Sequence, residues 1–122
     1  MQEDTIFDKI IRKELPSTPI YEDELCYCFK DINPQAPIHY VLVPKNRDGL
    51  TQLSKAEDKH KDLLGHLMVA VSKIANQEPQ LKKGYRLIIN DGEYGGQTVF
   101  HLHIHIIGGV QLSWQTGAPQ NC

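Results

Sequence analysis

Residues 100–109 read FHLHIHIIGG, with His101, His103 and His105 at alternate positions and an apolar residue after each. On a strand, residues i, i+2 and i+4 project to one face at intervals of roughly 6.6 Å. On a helix the same spacing would scatter the rings around the axis. The β-branched residues among the histidines and the glycine pair that stops the run favour the strand. The three rings then share a face, and Leu102, Ile104 and Ile106 supply the buried opposite one. Clustered imidazoles need hydrogen-bond partners wherever they are buried, so this face calls for a chemical explanation.

Two chemistries use such a face. Neutral imidazoles bind zinc, but three in a row span roughly 13 Å from first to last Cα, which is awkward for one ion. Such sites draw further ligands from another element. The alternative is phosphate chemistry, in which imidazoles donate hydrogen bonds to phosphoryl oxygens and one of them attacks phosphorus. A row of rings gives a nucleophile in the middle with a charge-stabilising neighbour on each side. With no carboxylate cluster nearby in the sequence, phosphate suits the pattern better, and neither metal nor cofactor is expected.

The flanking segments place this strand in an α+β fold. TIFDKIIRKELP predicts a short amphipathic helix opened by a Thr5–Asp8 capping box and stopped at Pro16. Residues 20–31 read as two short strands with a turn at Glu22–Glu24, and NPQAP at 33–37 is a break. IHYVLV, 38–43, is a strand with His39, Val41 and Val43 on one face and Ile38, Tyr40 and Leu42 on the other. A Ser54–Glu57 capping box predicts a long helix from Ser54. Its stripe of Leu64, Leu67, Met68, Val71, Ile74 and Ala75 serves as core or dimer seam. His60 and His66 on that helix are expected at the surface or rim. YRLIIN at 85–90 and TVFHLHIHII at 98–107 are the last strands, paired as a hairpin across the glycine loop DGEYGGQ. That loop is no Walker loop, since no Gly-Lys-Ser/Thr follows it. The order αβββαββ gives an antiparallel sheet of about five strands with two helices, in a single domain over residues 1–122.

The net charge of −2 gives no broad field to attract nucleic acid or anionic lipid, and no apolar run is long enough to span a bilayer. Cys26, Cys28 and Cys122 make an odd count. Cys26 and Cys28 are poorly spaced for a mutual disulfide and read as small core residues. With no signal peptide at the start, the expectation is a cytoplasmic protein, with nuclear residence as an addition.

The segment His101-Leu102-His103-Ile104-His105-Ile106-Ile107 resembles the histidine triad pattern, His-φ-His-φ-His-φ-φ with φ apolar. The likeness extends from TIFDKIIRKELP through DINPQAP, HYVLVPK, LLGHLM, KGYRLIIN and GGQTVFHLHIHIIGG to Trp114. It is closest to the Hint branch, the purine nucleoside phosphoramidases. The resemblance implies a homodimer in which His103 attacks the α-phosphorus of an adenosine 5′-phosphoramidate. The amine leaves, a nucleotidyl-histidine forms, and water releases AMP. It further implies that His105 binds the phosphoryl oxygens and that His101 and His39 orient the nucleophile. By the same carry-over, Asn90, Gln97 and Thr98 lie on the phosphate side, and Asp31 binds ribose. Phe7, Ile10, Phe29 and Ile32 form the base pocket, or else are simply core. Trp114 shapes the substrate site across the dimer. Alternatives within the same resemblance are a dinucleoside polyphosphate hydrolase and a non-catalytic purine nucleotide-binding regulator. Three departures stand out: Thr98 where many relatives have serine, an altered tail QTGAPQNC, and the loop KNRDGLTQ. That loop lacks the histidine that relatives carry shortly after the Pro-Lys pair.

Overall fold

In the computed structural model, which describes residues 3–119, Thr5 caps the first helix as expected. Its hydroxyl accepts the Asp8 amide while the Asp8 carboxylate accepts the Thr5 amide, closing the box ahead of α1, Ile6–Ile11. Two short strands follow, β1 Pro19–Glu22 and β2 Cys26–Lys30. Asp23 Oδ1 holds the turn between them by accepting the amides of Leu25 and Cys26. The remaining elements are β3 Ile38–Pro44, α2 Lys61–Gln77, β4 Tyr85–Ile88 and β5 Ile104–Gly108. All the strand pairs are antiparallel, in the order β1-β2-β3-β5-β4. The architecture is α+β.

β3 is buried along its whole length, because the two faces of the sheet carry different cores. Ile38, Tyr40 and Leu42 join Leu102, Ile104 and Ile106 against Leu67, Val71 and Ile74 of α2. On the other face, Val41 and Val43 pack with Tyr27, Phe29 and Ile10 of α1. The alternation in both histidine-bearing segments thus sends one apolar set to α2 and the histidines, with Val41 and Val43, to the α1 side. Cys26 and Cys28 are free thiols in the larger core; Cys122 lies outside the described residues. No helix among the described residues is long and apolar enough to cross a membrane.

Four local expectations are corrected. The long helix begins at Lys61, not Ser54. The Asp91 carboxylate captures the Ser54 amide and hydroxyl, and two short 3₁₀ turns, Leu53–Lys55 and Asp58–His60, take up the intervening chain. His60 is not a surface residue: it is 2% exposed, its Nδ1 accepts the Glu57 amide and its Nε2 donates to the Asp48 carbonyl. His66 sits at the rim as expected, bonded to Asp23. In α2 the buried stripe takes Ala70 rather than Met68, which is 43% exposed.

The fourth correction concerns the final strand, which is paired only from Ile104, and β4, which ends at Ile88. Residues 89–103 form a long connection instead of a tight hairpin. The loop after β3 anchors this connection. Leu102 donates its amide to Leu50, and the Gln97 side chain donates to the carbonyls of Thr51 and Val99. Past β5, Gly109 has φ +86° and lies where a Cβ would stand 3.1 Å from Pro37 Cβ. Only glycine fits that exit without strain.

Candidate active site

α1, the end of β2, the middle of β3 and the segment into β5 enclose a cavity of about 450 Å³, within the range of small-molecule sites. His103 and His105 form one wall, with Asn90 and Thr98 beside them. Phe7, Ile10, Phe29 and Ile32 line the apolar side, and Asp31 stands at its edge. Ile32 is 94% exposed, so it forms the lip of the pocket and not its core. Ile6, Leu15, Pro16, Val41 and Val99 complete the apolar lining; nothing in their pattern set them apart, because they read as ordinary amphipathic, strand and loop residues.

His101 and His39 stand behind the wall. His101 is fully buried, and His103 Nδ1 lies 2.7 Å from the His101 carbonyl oxygen. A carbonyl only accepts, so Nδ1 of His103 carries the proton, leaving Nε2 with its lone pair. The Phe7 ring meets His103 edge-on at 4.9 Å and His101 at 5.7 Å, fixing both from the α1 side.

A second chain of bonds sets His105. The Gln35 amide donates to His39 Nδ1 at 3.0 Å, so the proton of neutral His39 resides on Nε2. That nitrogen lies 2.8 Å from His105 Nδ1 and 3.3 Å from Asp31 Oδ2. His105 Nδ1 is therefore an acceptor, and its own proton sits on Nε2. The two histidines lining the cavity consequently differ in protonation, with an unprotonated Nε2 on His103 and an Nε2–H on His105.

All four rings are held neutral at pH 7. Burial pushes His101 down to about 4, with the Arg47 guanidinium adding to the effect against the Pro44 carbonyl and Asp8. Burial, then the neighbouring His103 and His39, bring His105 to about 4 as well. His103 is lowered by burial, opposed by the His101 carbonyl and Asp31, and His39 is lowered by burial against Asp31.

Two expected site residues stand apart from the cavity. Gln97 is buried with its amide committed to Gly92, Thr51 and Val99, so it braces the glycine loop from within. Trp114 is 88% exposed and does not line the cavity of a single chain. A larger groove of about 670 Å³, by Gly84, Tyr85 and Gly109–Leu112, has no histidine, serine, threonine or cysteine in its lining.

Comparison with known proteins agrees with this geometry. The HIT domain pattern matches residues 12–112. A 14 kDa zinc-binding protein from Zea mays is 54% identical over 113 residues, covering 93% of this chain and 88% of the relative. A protein named adenylylsulfatase HINT1 from Arabidopsis thaliana is 54% identical over 113 residues, covering 93% of this chain and 76% of its own length. Among solved structures, a histidine triad protein from Clostridium difficile superposes with a TM-score of 0.87 at 40% identity, covering 95% of this chain and 99% of that one. The chain belongs to the histidine triad (HIT) family of hydrolases and, within it, to the Hint branch.

The zinc-binding name of the maize relative prompts a test of the ligand sets here. Among the described residues, Asp31, His39 and His105 bring candidate ligand atoms within 4.8 Å of one another, as do Asp23, Cys26 and His66. In the first set, His39 Nε2 and His105 Nδ1 are at hydrogen-bond distance, 2.8 Å. Two nitrogens on one tetrahedral zinc stand about 3.3 Å apart, given Zn–N bonds of about 2.0–2.1 Å. In the second, both Asp23 oxygens are already engaged, by Leu25, Cys26, Tyr21 and His66. The Cys26 thiol donates to Asp23 Oδ1, and burial and then the Asp23 carboxylate push it up to about 12, so it is protonated as the cluster stands. As arranged, both sets are closed hydrogen-bonded clusters and not open zinc cages.

Proposed function

We propose that the protein hydrolyses purine nucleoside 5′-phosphoramidates, with His103 as the nucleophile. The observation that carries this reading is the bond from His103 Nδ1 to the His101 carbonyl, on a ring that lines the cavity. Neutral Nε2 attacks the α-phosphorus as the P–N bond breaks, and the amine leaves with a proton taken from solvent in the open cavity, which the later attack of water returns. Positive charge then develops on the imidazole, and the carbonyl at Nδ1–H stabilises it. His105 Nε2–H donates to a phosphoryl oxygen. Water next attacks phosphorus, the bond to His103 breaks, and AMP leaves. The base lies between Phe7, Ile10, Phe29 and Ile32, the ribose hydroxyls reach Asp31, and Asn90 and Thr98 hold the phosphate side.

The Arabidopsis relative's name points to a second leaving group on the same adenylyl scaffold, a sulfate in place of an amine. Turnover of an AMP-amine, an adenylyl sulfate and a diadenosine polyphosphate under identical conditions tests the reading. Preference for the AMP-amine supports it; preference for the diadenosine compound replaces it with a dinucleoside polyphosphate hydrolase. Binding of AMP with no turnover of any of the three would make the protein a nucleotide-binding regulator. We further propose that the chain works as a homodimer, a proposal supported by the exposed edge strand β4, whose Tyr85 is 40% exposed.

A further inference from the structure

The loop KNRDGLTQ, which departs from the family's usual pattern, carries a guanidinium that is almost wholly buried. Arg47 is 3% exposed. Its Nη1 donates to Asp8 Oδ2 at 2.8 Å and to His101 Nδ1 at 3.1 Å, and its Nη2 donates to the Glu3 carbonyl. The Thr5 hydroxyl stands 2.8 Å from the same His101 nitrogen, and His101 Nε2 is 3.2 Å from the Pro44 carbonyl.

We propose that Arg47 is a positioning residue, which fixes the tautomer of His101 and, through the His101 carbonyl and Phe7, the seat of His103. The proposal rests on His103 being the nucleophile. Arginine has donors only and does not lose its proton in proteins, so the His101 nitrogen facing it must accept. The Pro44 carbonyl requires a proton on His101 Nε2, and Arg47 keeps a second proton off Nδ1. The ring is then held on both edges, and its backbone carbonyl stays aimed at His103 Nδ1. The same guanidinium ties Asp8 and the Glu3 carbonyl to the loop. That anchors α1 on the side from which Phe7 meets the His101 and His103 rings. Arg47 therefore acts on His103 from beneath and from the side without touching the cavity that holds the substrate.

His101 is faced by Asp8 from α1, by Arg47 from the loop after β3 and by His103 from its own segment. Arg47 and His103 disfavour a proton on it, and Asp8 favours one. Without the guanidinium, Asp8 Oδ1, 3.8 Å from His101 Nδ1, becomes the controlling neighbour and draws a proton onto the ring.

Arg47→Met and Arg47→Lys test this. Nitrogen-15 NMR of the imidazoles reads tautomer and titration without any substrate, while kinetics on the AMP-amine read the consequence. The wild type should show His101 as the Nε2–H form down to about pH 5, given its midpoint near 4. In Arg47→Met the His101 midpoint should rise by at least about one unit. kcat should fall about ten- to a hundred-fold, with KM changed less than about two-fold, as misplacement of a reacting group does. Arg47→Lys should lie between, since one ammonium cannot hold Asp8, His101 and the Glu3 carbonyl together. If Arg47→Met does not fold, the lysine variant alone decides by the same two readouts. A folded variant that melts earlier while keeping the His101 tautomer, its midpoint and kcat would overturn the proposal and leave Arg47 a purely structural residue. If the wild type turns over no AMP-amine, the functional reading fails, and the NMR result still decides what Arg47 does to His101.

Discussion

His103 and His105 are two positions apart, yet their neighbours give them opposite protonation at the cavity. His103 has a backbone carbonyl on Nδ1; His105 has a histidine N–H there. Their shared need is neutrality, and this has a measurable consequence. The folded values of His101 and His105 lie near 4, against about 6.5 in an unfolded chain. Between those limits the unfolded state binds more protons, so stability rises with pH there. The stabilisation is complete above about pH 6.5 and is lost as the pH falls towards 4. Burial favours a proton on Asp8, but the Thr5 amide and Arg47 hold its carboxyl below the usual range. Its own loss of stability therefore comes at lower pH and leaves the histidine window clear. Urea midpoints should fall steadily from pH ~7 to ~4.5, and His105→Asn should flatten part of that fall. A wild-type midpoint unchanged across that range would contradict a neutral, desolvated triad. The four histidines were visible in the sequence through their alternation. Arg47 was not, because one arginine in a polar loop has no periodicity to separate it from a solvated surface residue.

At the level of elements, the two strands that carry histidines were legible because each alternates strictly over two different cores. The helix start was not. Ser54 and Glu57 satisfy the local capping pattern, but Asp91, distant in sequence, takes the Ser54 amide first. Pairing of the final strand failed similarly: residues 98–103 have strand-like composition, but Leu102 donates its amide to Leu50 in the loop after β3 and not to β4. Helical periodicity located the face of α2 correctly except at its edge, where Met68 points outward. The two adjacent positions should therefore respond differently to truncation. Leu67→Ala, fully buried in the larger core, should cost about 2–5 kcal/mol in denaturant unfolding. Met68→Ala should stay within about 0.5 kcal/mol of the wild type. Equal losses would show that Met68 is covered in solution, the result a dimer seam through α2 would give.

The molecule as a whole joins a rigid five-stranded sheet to a cavity closed by a short helix and two long connections. The sheet places His39 and His105, the connection into β5 carries His101 and His103, and the connections together set the protonation of the rings and the shape of the pocket. Nothing in that division of labour calls on a metal, so exhaustive chelation should leave turnover unchanged; a loss restored specifically by zinc would contradict this. Trp114 lies away from the cavity of one chain, so its expected part in shaping the substrate site depends on assembly. Sedimentation at micromolar concentration should give twice the 13.9 kDa chain mass, and a monomer would remove that role.

The central claim is a covalent bond between His103 and the nucleotide, and rapid acid quench followed by peptide mass spectrometry tests it most directly. During turnover of an AMP-amine, the peptide containing His103 should gain the mass of an adenylyl group. In His103→Asn the adduct should vanish and turnover should fall by several orders of magnitude, with AMP binding retained. No adduct in the wild type, together with near-normal turnover by His103→Asn, would contradict the account and make direct attack by water the mechanism.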